Sequence, residues 1–136
     1  KKGMTIYFAQ PHDNPIWVKA DRDRIAQVLT NLIENAIKYG KKGDGRIKIS
    51  FFDMDENILA EVTDNGPGIA QQDLGRIFER FYRTDKARSR EQGGTGLGLA
   101  IVKHIMEAHE QTVNVRSTLG IGTTFGFTLE KATNRT

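Results

Sequence analysis

The stretch from Asp21 to Tyr39 limits the possible folds most, because its apolar residues recur at the spacing of one helical face. On a helical wheel, four polar residues collect on the opposite side, and we call them the amide row. Asparagine is only a middling helix former, since its amide competes for backbone hydrogen bonds. We therefore predict a helix that packs a core with one side and presents the amide row on the other, with a plain solvated face as the alternative. The amide row consists of Gln27, Asn31, Asn35 and Lys38, and the apolar side of Ile25, Val28, Leu29, Leu32, Ile33, Ala36 and Ile37.

Composition narrows the class of protein but not its function. The chain has 136 residues, enough for one core, and its formal net charge of +3 does not by itself indicate nucleic acid. It has no cysteine, which excludes disulfides and cysteine-ligated metals and suits a reducing compartment. No apolar run approaches the roughly 20 residues that span a bilayer, and no signal peptide is visible. Because the sequence opens at Lys1, we expect a single domain over 1–136, cut from a longer protein.

Alternating apolar and polar residues predict a sheet around the long helix. The segments 46–53 and 57–64 indicate a hairpin, and further strands are expected at 4–9, 16–20, 113–115 and 125–129. A second strong helix is predicted over 94–109 and a short one over 71–81. His104 falls on the apolar side of the second helix, so we expect it to be packed. Helices over a mostly antiparallel sheet make an α/β sandwich.

A carboxylate followed by two glycines, Asp64 to Gly68, comes directly after one predicted strand. Such an acceptor, beside backbone that can approach closely, suits the exocyclic amino group of adenine and would not tolerate the carbonyl of guanine. A simple turn is the alternative explanation, because the sequence Asp-Asn-Gly is common in turns.

A glycine-rich segment, Gly93 to Leu99, opens the second predicted helix. Glycines bring backbone N–H groups to an oxyanion, and a helix N-terminus favours phosphate. The segment is neither a Walker motif nor a dinucleotide fingerprint, because the required lysine and spacing are missing. The preceding loop, 83–94, is basic and suits phosphate oxygens, although most basic runs are only solvated. The three histidines, His12, His104 and His109, have no spacing typical of a metal site, and no serine–histidine pair suggests a hydrolase.

Taken together and in this order, these motifs resemble the ATP-binding catalytic domain of sensor histidine kinases, in the gyrase/Hsp90/histidine-kinase/MutL superfamily. The resemblance covers nearly the whole chain and is closest to membrane kinases of the phosphate-sensor type. It implies an α+β fold, a two-layer α/β sandwich of the Bergerat type, with a mixed, mostly antiparallel sheet covered by about three helices. The segments that carry it are Asn31–Tyr39, Asp64–Gly68, Phe78–Arg83, Gly94–Ala100 and Gly120–Phe125, which look like the N, G1, F and G2 boxes and the terminal glycine–threonine strand.

The resemblance also implies roles for single residues, with ATP and Mg²⁺ as cofactors. Asn35 would hold Mg²⁺ through its amide oxygen, and Asn31 would support the metal and the phosphates. Lys38 would reach a phosphate, Tyr39 would lie against adenine, and Arg83 would contact the γ-phosphate. Asn31, Asn35, Lys38 and Arg83 are thus the implied catalytic residues.

The base and phosphate pockets follow from the other segments. Asp64 would accept a hydrogen bond from the adenine amino group, and Thr123 would line the base pocket, with Thr124 as a competing alignment. The residues that would shape the base pocket are Gly66, Gly68 and Ile69. Those that would cradle the phosphates are Gly94, Thr95, Gly96, Leu97 and Gly98.

Two departures from the family pattern bear on the reaction. Superfamily members that hydrolyse ATP carry a glutamate base where this chain has Asn31, an amide that cannot take a proton at neutral pH. Kinases of this family often have two glycines after the last helix, where this chain has Glu110 and Gln111.

The resemblance implies a kinase that donates the γ-phosphoryl group of ATP to a histidine on a separate dimerisation domain. That domain and, through it, a response regulator would be the partners, with no nucleic acid and no direct membrane contact. The location would be cytoplasmic, with the parent protein anchored in the cell membrane. The alternatives are an ATPase or a serine kinase of the same superfamily, and a non-catalytic interaction module.

Overall fold

A computed structural model describes residues 5–8, 18–39, 44–79 and 98–132, which form one mixed sheet with helices on one side. Two of its helices run for several turns, and the third is a single turn. The predicted hairpin over 46–53 and 57–64 is confirmed to the residue. The elements are β1 (Thr5–Phe8), β2 (Val18–Lys19), α1 (Arg22–Tyr39), β3 (Arg46–Asp53), β4 (Asn57–Asp64), α2 (Gln71–Leu74), α3 (Gly98–Ala108), β5 (Val113–Thr118) and β6 (Gly122–Lys131).

The six strands follow the order β1-β3-β4-β6-β2, with β5 pairing β6 as well. Among the strands that the structure describes, only β1 and β3 run parallel, so the expected mixed and mostly antiparallel sheet is confirmed. β5 pairs with 122–127 of β6, and β2 pairs with Lys131 and Glu130, so these two strands share one edge of β6.

The sheet has two chemically different faces, because side chains alternate along each strand. The covered face carries the core, where α1 and α3 pack on the sheet through residues such as Leu32 and Met106. The open face carries the alternate residues, among them Lys48, Thr63 and Arg116. The sheet residues of the core are Ile47, Ala60, Val62, Phe125, Phe127 and Leu129, and the helix residues buried with them are Val28, Leu32, Ala36, Val102, Ile105 and Met106.

The start of α1 and the end of α3 are joined by a hydrogen bond. Asp21 caps α1, since its Oδ1 accepts the backbone N–H groups of Asp23 and Arg24 at 3.1 and 3.2 Å. His109 follows α3, and its Nε2 accepts the backbone N–H of Asp21 at 3.0 Å. Its Nδ1 lies 2.9 Å from the carbonyl oxygen of Ile105, so the ring carries its proton there. One imidazole therefore ties the end of α3 to the start of α1.

The expectation that His104 is packed is wrong, because the structure leaves it exposed. The buried stripe of α3 runs instead through Val102, Ile105 and Met106. Apolar residues lie on more than half of this helix's circumference, so periodicity alone did not fix which side faces the sheet.

The departure at Glu110 leaves the end of α3 intact. Glu110 has φ 57°, the left-handed conformation that glycine usually supplies. The N–H of Glu110 bonds the carbonyl of Glu107, and that of Gln111 bonds the carbonyl of Met106, both at 2.9 Å. This is the Schellman termination of a helix, formed here without glycine. Among the described helices, none combines the length and the apolar character needed to cross a membrane.

Candidate functional site

The amide row lies beside the start of α3. Asn31 Nδ2 donates to the carbonyl oxygen of Gly98 at 3.3 Å, which links the middle of α1 to the first residue of α3. Asn31, Asn35 and Lys38 are each half-buried, whereas Glu34 between them is exposed. The row is therefore not a plain solvated face, because it borders the helix that the glycine segment opens.

Asn35 and Lys38 keep their polar groups available. Within the described ranges of the chain, neither the Asn35 amide nor the Lys38 ammonium has a hydrogen-bond or ion-pair partner. An amide oxygen is a hard ligand of the kind that Mg²⁺ takes, usually together with substrate phosphates. The Asn35 amide oxygen thus fits as one ligand of a magnesium ion, and the Lys38 ammonium fits a phosphate that would share that ion. Tyr39 is half-buried at the last position of α1.

Asp64 ends β4 on the covered face. Its register partners are Ile47 on β3 and Thr123 on β6, and Ile47 is fully buried beneath α1. Because directly opposed residues share a face, the Asp64 carboxylate points to the layer that contains α1. Its Oδ1 accepts the backbone N–H of Gly66 at 2.8 Å.

The electrostatics of Asp64 are those of a partly desolvated acceptor. Burial raises the pKa of this carboxyl above its usual range, and hydrogen bonds from the backbone N–H groups of Gly66 and Thr123 oppose the rise. Among the described residues Asp64 has no ion-pair partner. Such a half-buried carboxylate gains from a ligand N–H donor, because that donor replaces water lost on folding.

Ser117 on β5 joins the Asp64–Gly68 turn to the β5–β6 hairpin. Its Oγ accepts the backbone N–H of Ile69 at 2.7 Å and donates to the carbonyl oxygen of Gly122 at 2.9 Å. The Thr123 hydroxyl lies 2.8 Å from the same Oγ. Since the only Ser117 proton goes to a carbonyl, the Thr123 hydroxyl must donate its own proton to Ser117. The oxygen of Thr123 is therefore left as an acceptor beside Asp64.

Two glycines allow this close approach. Gly68 has φ +82°, and a Cβ there would lie 2.5 Å from the carbonyl oxygen of Thr118. Gly122 has φ +153°, and a Cβ there would collide with the carbonyl oxygen of Asp64. Gly120 N–H also bonds the carbonyl of Pro67 at 2.8 Å. The turn and the hairpin are thus held together at the end of the sheet, and side chains at Gly68 and Gly122 would separate them.

The structure separates the two competing threonines. Thr123 lies on the covered face with Asp64, whereas Thr124 lies on the open face, where its hydroxyl meets that of Thr63 at 3.0 Å. Gly66 is buried and Ile69 packs against the core. Phe78 stacks edge-on against Phe125, with ring centroids 6.0 Å apart.

Part of the predicted site lies outside the described residues. These positions are Arg83, Gly94, Thr95, Gly96 and Leu97, together with the basic loop that contains Arg83. Of the phosphate-binding set, Gly98 is described, and it stands at the first position of α3 next to Asn31.

Sequence reasoning missed Ser117, and a signal for it was present. Val113, Val115 and Ser117 alternate along β5, so a small hydroxyl residue had to follow two core positions on the same face. What the sequence did not contain was the pairing that brings Ile69, Gly122 and Thr123 around that hydroxyl.

Comparison with known proteins agrees with this geometry. The family described as "Histidine kinase-, DNA gyrase B-, and HSP90-like ATPase" matches residues 20–133. The sensor histidine kinase WalK of Bacillus subtilis strain 168 is 45% identical over 119 residues, which are 86% of this chain and 19% of WalK. The chain thus spans about a fifth of the length of this curated relative.

Solved structures place the fold in the same group. The catalytic domain of histidine kinase ThkA superposes with a TM-score of 0.78 at 33% identity, covering 96% of this chain and 82% of that one. The full-length histidine kinase ShkA, solved in complex with AMPPNP, superposes with a TM-score of 0.79 at 34% identity, covering 96% of this chain and 27% of that one. ThkA has also been solved in complex with the response regulator protein TrrA, with a TM-score of 0.75 at 30% identity over 96% of this chain and 35% of that one. The resemblance inferred from the motifs is confirmed, and the chain belongs to the histidine kinase-, DNA gyrase B- and HSP90-like ATPase family, as a catalytic domain of the sensor histidine kinase type.

Proposed function

We propose that this chain binds Mg·ATP and presents its γ-phosphoryl group to a histidine on a separate dimerisation domain. The observation that carries the proposal is the pair of acceptors at one end of the covered face, Asp64 and Thr123, on the same side of the sheet as the amide row. An amino group that enters beside Asp64 would meet the carboxylate and the Thr123 oxygen together. Adenine carries an exocyclic amino group at the position where guanine carries a carbonyl, so this pair of acceptors would select adenine.

The phosphates would then extend towards the amide row and the start of α3. Asn35 would give its amide oxygen to Mg²⁺, and Lys38 would neutralise a phosphate. Asn31 would support both and already bonds Gly98 at the helix start, where phosphate is favoured. Arg83 and the glycines from Gly94 to Gly98 would complete the pocket, as the family pattern implies, and Tyr39 would lie along the base.

A kinase is favoured over an ATPase by the chemistry of Asn31. The Asn31 amide donates a hydrogen bond to Gly98, and an amide has no basic nitrogen with which to activate water. The accepting nucleophile would therefore come from another domain. Such a domain and a response regulator are the expected partners, and ThkA solved with TrrA is an example of the second kind. A cytoplasmic position of this domain, within a membrane-anchored parent, belongs to the same proposal.

Calorimetry followed by transfer tests the proposal in two steps. Mg·ATP should bind to the isolated chain, Mg·GTP should bind far more weakly, and neither should release steady phosphate. On addition of the matching histidine-bearing domain, ³²P should appear on that domain in an acid-labile form. Absence of any ATP binding would reduce the chain to an interaction module, and an acid-stable phosphoserine on a partner would assign it as a serine kinase.

A further inference from the structure

The open face holds a second concave surface, which borders the proposed nucleotide site at the end of the sheet. It is a cavity of about 430 Å³ at the end of the sheet near the β5–β6 turn. We propose that this surface, which we call the basic groove, docks an acidic protein segment that also carries an apolar side chain. The basic groove is the open-face part of this cavity, defined by Tyr7, Arg46, Lys48, Thr63, Arg116 and Thr124, with Ile121 at its rim. The same cavity also borders Asp64, Ser117, Gly122 and Thr123 at the strand ends.

Strand register builds the groove as a single cross-strand row. Lys48 pairs with Thr63, Thr63 with Thr124, and Thr124 with Arg116. Tyr7 on β1 extends the row beyond Lys48. Three strand spacings separate Lys48 from Arg116, so their Cα atoms lie about 14 Å apart. The two threonines between them are small and bond to one another, which leaves a polar floor with a cation on each side.

The charges of the groove are only partly used by the fold. Arg116 meets Glu61 through two contacts of 2.9 and 3.3 Å, and the Glu61 side chain is 9% exposed. This pair neutralises the carboxylate buried next to the floor. In the part of the chain that the structure describes, Arg46 and Lys48 have no ion-pair partner. The Asp64 carboxylate is directed to the other face, so positive charge dominates the groove.

Apolar side chains at the rim decide the kind of partner. Ile121, in the turn between β5 and β6, is 69% exposed, and Tyr7 is 40% exposed at the opposite side. A nucleic acid backbone offers nothing apolar to such residues, and it is bound by many more cations than these three. A small molecule is mostly enclosed by apolar walls, whereas this floor is polar. An extended segment with carboxylates and an apolar side chain matches both features.

The groove and the nucleotide site lie on opposite faces of the same strands. Thr123 and Thr124 are neighbours in the chain, and they point to different faces. The side chains that define the groove and those that would read the base therefore lie on different faces, and the inference does not depend on the proposed function.

The test uses the chain itself and a defined probe, the peptide (Glu-Glu-Leu)₄, with (Gln-Gln-Leu)₄ as its uncharged match. In ¹⁵N-correlated NMR spectra the acidic peptide should shift the amides of Lys48, Thr63, Thr124 and Arg116. By calorimetry at fixed salt, R46E/K48E should weaken binding at least tenfold, because two attractive charges become repulsive. K103E, which reverses an exposed lysine on α3, should leave the affinity within twofold.

Four results would overturn the proposal. They are no binding of the acidic peptide, equal binding of the glutamine peptide, binding that R46E/K48E does not weaken, and tighter binding of a 12-base-pair DNA duplex that produces the same shifts. Ile121→Ser keeps all charges and should lower the peptide affinity about threefold. If R46E/K48E has a much lower melting temperature than the unaltered chain, R46Q/K48Q, which removes the two charges without reversing them, replaces it in the comparison. Mg·ATP titration of R46E/K48E should match the unaltered chain, and this separates a failure of the groove from a failure of the nucleotide site.

Discussion

The covered and open faces of the sheet come from the same strands, and they differ because side chains alternate. At the end nearest the β5–β6 turn, the covered face presents Asp64 and Ser117, which accept backbone N–H groups, and Thr123, whose hydroxyl bonds that of Ser117. One residue along each strand, the open face presents Thr63, Arg116 and Thr124. Neighbouring residues in one strand thus belong either to a site that accepts hydrogen bonds from a ligand or to a cationic surface. The comparison suggests that substitutions of sequence neighbours should have unrelated effects.

The largest difference in Mg·ATP affinity is expected between Asp64→Asn and Thr63→Val. Asp64→Asn should weaken Mg·ATP binding by about 1.5–3 kcal/mol, or roughly 10- to 150-fold, because a hydrogen bond to a charged acceptor is lost. Its melting temperature should stay equal or rise, since burial raises the pKa of Asp64 and the ionised form is disfavoured in the fold. Thr63→Val, one residue earlier on the open face, should leave nucleotide affinity within twofold. Calorimetry and thermal melting measure both, and equal affinities for the two variants would contradict the assignment of the base contact.

On the open face, a substitution at Arg116 should lower the stability of the fold and leave nucleotide binding unchanged. Arg116→Met would leave the buried Glu61 carboxylate unpaired and should cost about 1–3 kcal/mol of unfolding free energy. Adding Glu61→Gln should recover much of that loss, because the carboxylate that needed a cation is gone. Urea titration of the unaltered chain, Arg116→Met, Glu61→Gln and the double variant forms a double-mutant cycle. A drop in ATP affinity as large as that of Asp64→Asn would show that the two faces are not independent.

The long helix and the hairpin were predictable, because α1, β3 and β4 have clean periodicities. The N-cap at Asp21 was also predictable, since a carboxylate before an apolar helical pattern has a defined local partner. The burial of α3 was not, because apolar residues surround much of that helix, and His104 consequently lies in solvent. The order of motifs identified the family, while composition did not.

The site was predictable only as far as its residues act locally. Asp64 and the amide row were found from the chain itself, because each belongs to one short pattern. Ser117 was missed, since its three hydrogen bonds join Ile69, Gly122 and Thr123 across the sheet end and the sequence does not state strand register. The sequence could not decide between Thr123 and Thr124 for the same reason, because the answer depends on which residue opposes Asp64 across the strands.

A smaller effect should separate Ser117→Ala from Thr118→Ala. Ser117→Ala removes the acceptor of the Ile69 N–H and frees the Thr123 hydroxyl to donate, so ATP affinity should fall about 3- to 10-fold, the equivalent of one net hydrogen bond. The preference for ATP over GTP should narrow, because Thr123 no longer acts only as an acceptor. Ser117→Thr keeps a hydroxyl and should restore most of both. Thr118→Ala on the open face should change neither, and calorimetry with the two nucleotides decides.

The smallest effect, and the sharpest check on Asp64, is the pH dependence of stability. Burial raises the pKa of Asp64, so its contribution to stability is greatest below pH 3.8 and is lost as pH rises through the higher pKa of the folded state. Asp53 ends β3 at the opposite end of the same face, and its hydrogen bond from Lys131 Nζ lowers its pKa, so its contribution is present above pH 3.8 and is lost as pH falls through the lower value. The stability difference between the unaltered chain and Asp64→Asn should therefore shift in favour of the unaltered chain as pH falls from 7 towards 4. The same difference measured for Asp53→Asn should shift the other way. Urea titrations at stepped pH values measure both, and curves of equal sign would mean that Asp64 is solvated like Asp53 rather than held as a desolvated acceptor.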